Sequence, residues 1–487
     1  MMLSPVQQAA IQHPQQPAVL LDGQTVSYQQ WAQRISRLAD SLKAQGLKQG
    51  DIGAIIIEPA SHIGTNNNAI HTLEAINFYW ACIEIGAVYF PINGRFSTQQ
   101  INQLIGRFNI HHVWHNTARQ TTLPQSINWL YDDNKQPLST AKIETPHQPT
   151  KVNPHRPANI ILTSGSSGTP KAAVHSLMNH LASAQGASRY IALNPNDKWL
   201  LSLPLFHVGG LAIVNRCANA GACIVIKSTK TSLDKQLIDD AISHVSMVPT
   251  QAIQMLNQHP QALHKVKALL LGGGVIEASL IERLTQQKIP AFTSYGMTEM
   301  SSQITTAKAN EFGHHGRALP LRQLKLVDDI IWVKGECLFQ GYLELDPQQG
   351  FTLSLPVDDQ GWFCTHDRGK FNDKGQLLLL GRADNMFICG GENIQPEEIE
   401  SVLLQHPLVS KAIVFGQPDA EFGLLPAAII DYTTKQLPED IHQQLANLVT
   451  NQLARFKRPR HWYTWPEVEQ SGLKVNRKQI ILAVNSQ

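Results

Sequence analysis

Between residues 199 and 293 the chain keeps returning to one device: a short apolar run, then a helical pattern or a loop, then another apolar run. The runs fall at 199–203, 222–226, 245–248, 268–271 and 291–293. Read as strands, they predict an α/β fold with a mainly parallel sheet and helices on its faces. The N-terminal part repeats the rhythm. Ser27 and Gln30 form a capping-box pattern, Trp31, Ile35, Leu38 and Leu42 share one face, and Gly46 supplies a stop, so 27–45 reads as a helix. A strand follows at 51–57, a loop at 61–71 around Asn66, Asn67 and Asn68, a helix at 73–85 packed by Phe78, Trp80 and Ile83, and a strand at 87–91. Residues 116–157 are polar and proline-rich and read as a winding connection.

In such sheets ligands sit at the carboxyl ends of strands. The loops to inspect for chemistry are therefore 204–210, 272–274 and 295–299. A further loop stands out: Leu162-Thr163-Ser164-Gly165-Ser166-Ser167-Gly168-Thr169-Pro170-Lys171, entered from an apolar run at 160–162. Glycines open backbone paths closed to other residues and leave amide groups free to face an anion, while hydroxyls and a lysine add donors and charge. This is a loop suited to holding polyphosphate. It lacks the glycine-lysine-serine/threonine spacing of a Walker A loop, and taken alone it could equally be a Ser/Gly linker. Beyond it, Ser176 is placed to cap a helix reaching about residue 185.

At 487 residues the chain is long enough for two or more domains, and 43% hydrophobic residues can bury a large interior. The net charge of +2, with basic residues scattered, offers no footprint for nucleic acid or an anionic membrane. The N-terminus is polar and glutamine-rich, unlike a secretory signal, and no apolar run approaches the ~20 residues of a membrane span. The six cysteines (Cys82, Cys217, Cys223, Cys337, Cys364, Cys389) show no paired or metal-binding spacing. Reduced thiols in a cytoplasmic protein are expected.

Past Pro320 short strands and turns take over, as at 330–333 and 376–380, ending in Gly381-Arg382-Ala383-Asp384. The remaining unit of about 100 residues suits a small domain and reads β-β-α-β-β-α. Pro396, Glu397 and Glu398 open its first helix, since proline suits the first helical position and acids suit the positive dipole end. Ile441, Leu445, Leu448 and Gln452 mark the second.

With the Gly/Ser loop, Tyr295-Gly296-Met297-Thr298-Glu299, Thr365-His366-Asp367 and Gly381-Arg382-Ala383-Asp384 in this order, the whole chain resembles the adenylate-forming superfamily of acyl-CoA synthetases, luciferases and adenylation domains. Within it the chain is most similar to the o-succinylbenzoate–CoA ligases of menaquinone biosynthesis. That similarity rests on Lys171-Ala172-Ala173-Val174-His175, Ser202-Leu203-Pro204-Leu205-Phe206-His207-Val208, Gly390-Gly391-Glu392-Asn393-Ile394-Gln395-Pro396-Glu397-Glu398 and Gly472-Leu473-Lys474.

The resemblance implies a large ATP- and acyl-substrate-binding domain over 1–383 and a small mobile α+β domain over 384–487. It implies ATP and Mg²⁺ as cofactors, CoA as co-substrate and a small carboxylic acid, o-succinylbenzoate favoured, as substrate. Thr163, Ser164, Gly165, Ser166, Ser167, Gly168 and Lys171 would hold the β- and γ-phosphates. Glu299 would ligate Mg²⁺, Tyr295 would lie against the adenine with Gly296 also in the nucleotide site, and Thr298 would sit near the α-phosphate. Asp367 would accept from the ribose hydroxyls, with Arg382 beside the ribose or phosphate. Lys474 would bridge carboxylate and α-phosphate, a task for a point charge on a flexible stem. Asp384 would be the hinge, and Gly390, Gly391 and Glu392 would line the pantetheine tunnel or form a plain β-turn. His207 would gate the thiol's approach, unless it is simply a packed histidine. Arg216 would pair with the substrate's second carboxylate or form a structural salt bridge, and Gly273 and Gly274 would let substrate and adenine approach the backbone or form a capping turn.

Two departures from the superfamily pattern stand out: His366 takes the place of a common glycine, and Ala172 replaces the glycine that often follows the loop lysine. The 61–71 segment also looks longer than usual. Three alternatives remain open on sequence: another aryl- or acyl-CoA synthetase, a stand-alone adenylation enzyme loading a carrier protein, and a regulatory nucleotide binder. The last has no need of Glu299 and Lys474 together. The oligomeric state is open, a homodimer included.

Overall fold

The computed structural model describes residues 1–57, 68–115, 127–129, 149–163, 170–227, 231–272, 276, 278–309, 314–346, 350–382, 387–394, 396–434, 436–466 and 477–485. Two compact units divide them: Met1–Gly94, Asn102–Thr163 and Ala172–Gly381 make one, and the stretch from Arg382 onward makes the bulk of the other.

The apolar runs are strands of the larger unit. Lys198–Leu201, Cys223–Ile226, His244–Met247, Ala268–Leu271 and Ala291–Met297 lie side by side in parallel within a nine-stranded sheet. Their continuous hydrophobicity has a direct cause: both faces are covered. Trp199, Leu201, Ile224, Ile226 and Leu270 enter one apolar cluster. The alternate residues Leu200, Val225, Leu269 and Leu271 enter a second. The first cluster is shared with an eight-stranded sheet through Ile55, Ile57, Tyr89, Trp114 and Ile161, and with the helices Pro5–Gln12, Tyr28–Ala44, Asn68–Ile85 and Val208–Ala220. A four-stranded antiparallel sheet, built from Arg322–Val327, Ile330–Gly335, Phe363–Phe371 and Leu377–Arg382, completes this unit's β-rich section.

Local signals set several boundaries. Ser27 accepts from the Gln30 amide while Gln30 returns a bond to the Ser27 amide, and the helix Tyr28–Ala44 starts there. Ser176 caps Leu177–Ser188 in the same way, with Asn179 as its partner. Elsewhere the fold departs from expectation. The helix over the Phe78–Trp80 region begins at Asn68, so the last residues of the supposed 61–71 loop are helical, and 61–67 lie outside the described residues. The 116–157 connection contributes the strands Ile127–Trp129 and Lys151–Val152. Ile127–Trp129 adds to a sheet edge beside His112–His115, and Lys151–Val152 pairs with Met2–Leu3, a partner far away in sequence that leaves no local pattern. Residues 295–297, expected as loop, continue the strand Ala291–Met297 because Ser302–Lys308 pairs antiparallel with it.

The smaller unit runs β-β-α-β-β-α as expected, through Phe387–Cys389, Glu392–Ile394, Pro396–Leu403, Val409–Asp419, Gly423–Tyr432 and Ile441–Gln452. It then adds His461–Thr464, parallel to Gly423–Tyr432, and a final helix Arg477–Asn485. All six cysteines are free. Among the described residues no helix is long and apolar enough to cross a membrane.

Candidate active site

Two of the expected nucleotide-binding residues, Tyr295 and Asp367, meet directly. The Tyr295 hydroxyl donates to Asp367 Oδ2 across 2.7 Å, and both side chains are buried. Asp367 sits on Phe363–Phe371, where its amide donates to Thr365 Oγ1 at 3.1 Å while the Thr365 hydroxyl donates to the Ile331 carbonyl. Between them His366 turns into the left-handed region at φ 58° with its side chain exposed. This explains the departure noted above: glycine enters that region freely, and histidine is among the few other residues enriched there. The backbone turn that aims Asp367 is kept.

Glu299 follows the strand Ala291–Met297, which carries Tyr295, in a single 3₁₀ turn, Thr298–Met300. Its carboxylate is buried, and Oε1 accepts from the Tyr342 hydroxyl at 2.7 Å. Gly296 leads into this turn at a β-bulge, where a Cβ would lie 2.0 Å from the Ser302 carbonyl oxygen, so no other residue fits without moving the backbone. A single buried carboxylate suits Mg²⁺, which takes one or two carboxylates plus phosphate oxygens and water rather than an all-protein cage. Among the described residues no group of three or more acidic, histidine or cysteine side chains is placed to hold a metal ion.

Thr163 ends the strand Pro157–Thr163 and Lys171 opens Lys171–Ser176, so the Gly/Ser loop joins two strands adjacent in the eight-stranded sheet. Ser164, Gly165, Ser166, Ser167 and Gly168 lie outside the described residues, as do Gly273, Gly274, Asp384 and Lys474. Arg382 is the last residue of Leu377–Arg382.

His207 is the N-cap residue of Val208–Ala220, extended at φ −112° and ψ 144°, with the Phe206 ring edge-on at 4.9 Å. Arg216 rides the same helix and is 6% exposed. Its guanidinium carbon stands 5.3 Å from the centre of the Trp199 ring and Nη2 donates to Ser302 Oγ at 3.4 Å, while Nε has no partner among the described residues. Among the described residues no carboxylate pairs with it. Burial lowers its pKa to about 10, with the charge of Arg322 adding to the effect, and it stays cationic near neutrality. An unpaired buried cation is costly, and an incoming anion would offset that cost.

In the smaller unit Gly390 and Gly391 make the tight turn between Phe387–Cys389 and Glu392–Ile394, at φ 54° and 84°. Two successive positive φ values are the signature of a two-residue hairpin turn, so the β-turn reading holds. Sequence reasoning missed Tyr342 and Ser302, whose partners Glu299 and Arg216 are remote in the chain and leave no spacing to read.

The chain matches the AMP-binding enzyme model over residues 6–343 and the AMP-binding enzyme C-terminal domain over 398–473. It belongs to the AMP-binding enzyme family. Its relatives include the 2-succinylbenzoate–CoA ligase of Salmonella typhimurium, 35% identical across 96% of this chain and 94% of the relative. That of Escherichia coli is 32% identical across 95% and 94%. Among solved structures, a double mutant of o-succinylbenzoate CoA synthetase from Bacillus subtilis, bound to its product analogue OSB-NCoA, superposes with TM-score 0.85 at 25% identity, covering 98% of each chain.

Proposed function

We propose that this chain activates o-succinylbenzoate with ATP and transfers the acyl group to CoA. In the first half-reaction a carboxylate oxygen attacks the α-phosphorus. The new O–P bond forms as the bond to the β-phosphate oxygen breaks, and pyrophosphate leaves. In the second, the CoA sulfur attacks the acyl carbon, the thiol proton passes to solvent, and AMP departs with the electrons of the broken acyl–oxygen bond. The barrier is mostly charge crowding at phosphorus, lowered by oriented donors and positioning.

Each residue has a part in this reading. Asp367, held by Tyr295, accepts from the ribose hydroxyls, and Arg382 lies beside them. Thr163, the Gly/Ser loop and Lys171 take the β- and γ-phosphates, and Thr298 faces the α-phosphate. Glu299 would hold Mg²⁺, which when bound spreads the phosphate charge. Lys474 bridges the two reacting groups. Gly273 and Gly274 leave room for the acyl group and adenine, and His207 guards the thiol's approach. Residues 1–383 and 384–487 act as the two domains, with Asp384 as hinge and Gly390, Gly391 and Glu392 facing pantetheine.

The observation that carries the substrate is Arg216: a buried, cationic guanidinium without a carboxylate partner among the described residues. o-Succinylbenzoate brings a second carboxylate; a benzoate or fatty acid does not. The test is pyrophosphate release with ATP and Mg²⁺ across a panel of carboxylic acids, with and without CoA, beside Lys474→Ala. Turnover confined to o-succinylbenzoate, dependent on CoA and nearly abolished in Lys474→Ala, is expected. Strong turnover on monocarboxylic acids would discard the substrate and keep the mechanism, and silence across the panel would discard both.

A further inference from the structure

The Thr298–Met300 turn and its C-cap Ser301 are held by groups from other elements. The Phe339 amide donates to the Glu299 carbonyl at 2.8 Å, and the Ser183 hydroxyl donates to the Ser301 carbonyl at 2.8 Å. The Thr298 carbonyl is met by His175 Nε2 at 2.7 Å. That contact is the visible end of a longer chain. His175 Nδ1 faces Asn159 Nδ2 at 3.3 Å, and Asn159 Oδ1 faces His180 Nε2 at 2.6 Å. All three side chains are essentially inaccessible to solvent.

The donors and acceptors can be assigned from one end. A carbonyl only accepts, so His175 Nε2 carries a hydrogen. The Asn159 amide nitrogen only donates, so His175 Nδ1 is bare. Asn159 Oδ1 only accepts, so His180 Nε2 carries a hydrogen. Reversing the Asn159 amide would put protons on both nitrogens of His175, a cation where burial lowers the pKa to about 4. The chain therefore has one self-consistent arrangement, and every bond in it points toward Thr298. It ends at His180 Nδ1, which has no partner among the described residues.

We propose that His180, Asn159 and His175 form a fixed-tautomer relay that positions the Thr298–Glu299 peptide for Mg·ATP. They are positioning residues and act through that peptide. The relay also ties this turn to the strand Pro157–Thr163, which carries Asn159 and leads into the Gly/Ser loop. Two elements assigned to the triphosphate thus share one buried hydrogen-bond chain. The inference rests on the roles given above to Thr298 and Glu299.

The experiment has two arms on the full chain. Nitrogen-15 NMR of histidine-labelled protein at neutral pH reads the tautomers without reference to activity. His175 and His180 are expected as neutral Nε2–H forms, with Asn159→Asp moving His175 out of that form. Calorimetric titration with Mg·ATP reads the consequence. His175→Phe is expected to weaken binding about tenfold, the scale of one lost buried hydrogen bond, and His175→Gln, whose amide can reach the Thr298 carbonyl, to recover most of it. An Nδ1–H tautomer at either histidine overturns the relay, as does a folded His175→Phe that binds Mg·ATP like the parent. Should His175→Phe not fold, the parent spectrum decides alone. A parent protein indifferent to Mg·ATP sinks the functional reading and this inference together, whereas tight parental binding with unchanged variants sinks only the relay.

Discussion

Arg216 lies 5.3 Å from the centre of the Trp199 ring, buried and lacking a carboxylate partner among the described residues. The aromatic face and one hydroxyl compensate its desolvation only in part. Arg216→Met should therefore stabilise the unliganded protein, by about 1 kcal/mol or more, since an apolar side chain of similar length suits the site better. The same change should raise KM for o-succinylbenzoate about 100-fold while leaving KM for ATP nearly unchanged. Thermal melts and steady-state kinetics check the pair. A loss of stability, or an equal rise in both KM values, would argue against this role.

Removing the Tyr295 hydroxyl leaves the buried Asp367 carboxylate short of a donor. A hydrogen bond to a charged group contributes about 1.5–3 kcal/mol, so Tyr295→Phe should raise KM for ATP by tenfold or more with a smaller effect on kcat. Initial-rate kinetics at saturating acid and CoA give the answer, and an unaltered KM would sink the coupling.

Glu299→Gln keeps the size of the side chain and an oxygen for the Tyr342 hydroxyl, but removes the charge. The expected outcome is a kcat lower by about 100-fold and a Mg²⁺ requirement shifted upward. Tyr342→Phe, which removes one donor to Glu299 but keeps its charge, should shift the Mg²⁺ curve far less. Titrations of rate against Mg²⁺ separate the two, and coincident curves for parent and Glu299→Gln would remove Glu299 from metal binding.

Glu84 joins three helices of the larger unit, accepting from Gln7 Nε2 at 2.6 Å and from the Ser36 hydroxyl at 3.2 Å. Burial nonetheless raises its pKa from 4.5 to about 7. Below pH 4.5 the carboxyl is protonated in folded and unfolded chains alike. As the pH rises toward 7 the unfolded chain releases the proton and the folded chain retains it. Stability is thus lost across that window, by about 3 kcal/mol in all. Glu84→Gln should abolish this decline, and its advantage over the parent should grow from pH 5 to pH 8 in denaturant titrations. Parallel pH profiles would refute the assignment.

Much of this protein was legible without coordinates wherever the determining interactions are local. The Ser27–Gln30 and Ser176 caps, the twin glycines at 390 and 391, and the apolar strands all rest on contacts or periodicities within a few residues. The order of the site motifs was equally plain, since the residue types needed for ribose, phosphate and metal are written in short segments. Tertiary structure decided what depends on distant partners. It extended the strand at 291 through Met297, because Ser302–Lys308 supplies the hydrogen bonds. It set a left-handed turn at His366, left Arg216 without a carboxylate partner among the described residues, put Tyr342 on Glu299, and assembled Asn159, His175 and His180 beneath Thr298. The physical reason is that a buried polar group must find its partner in three dimensions, and separation along the chain places almost no limit on where that partner lies.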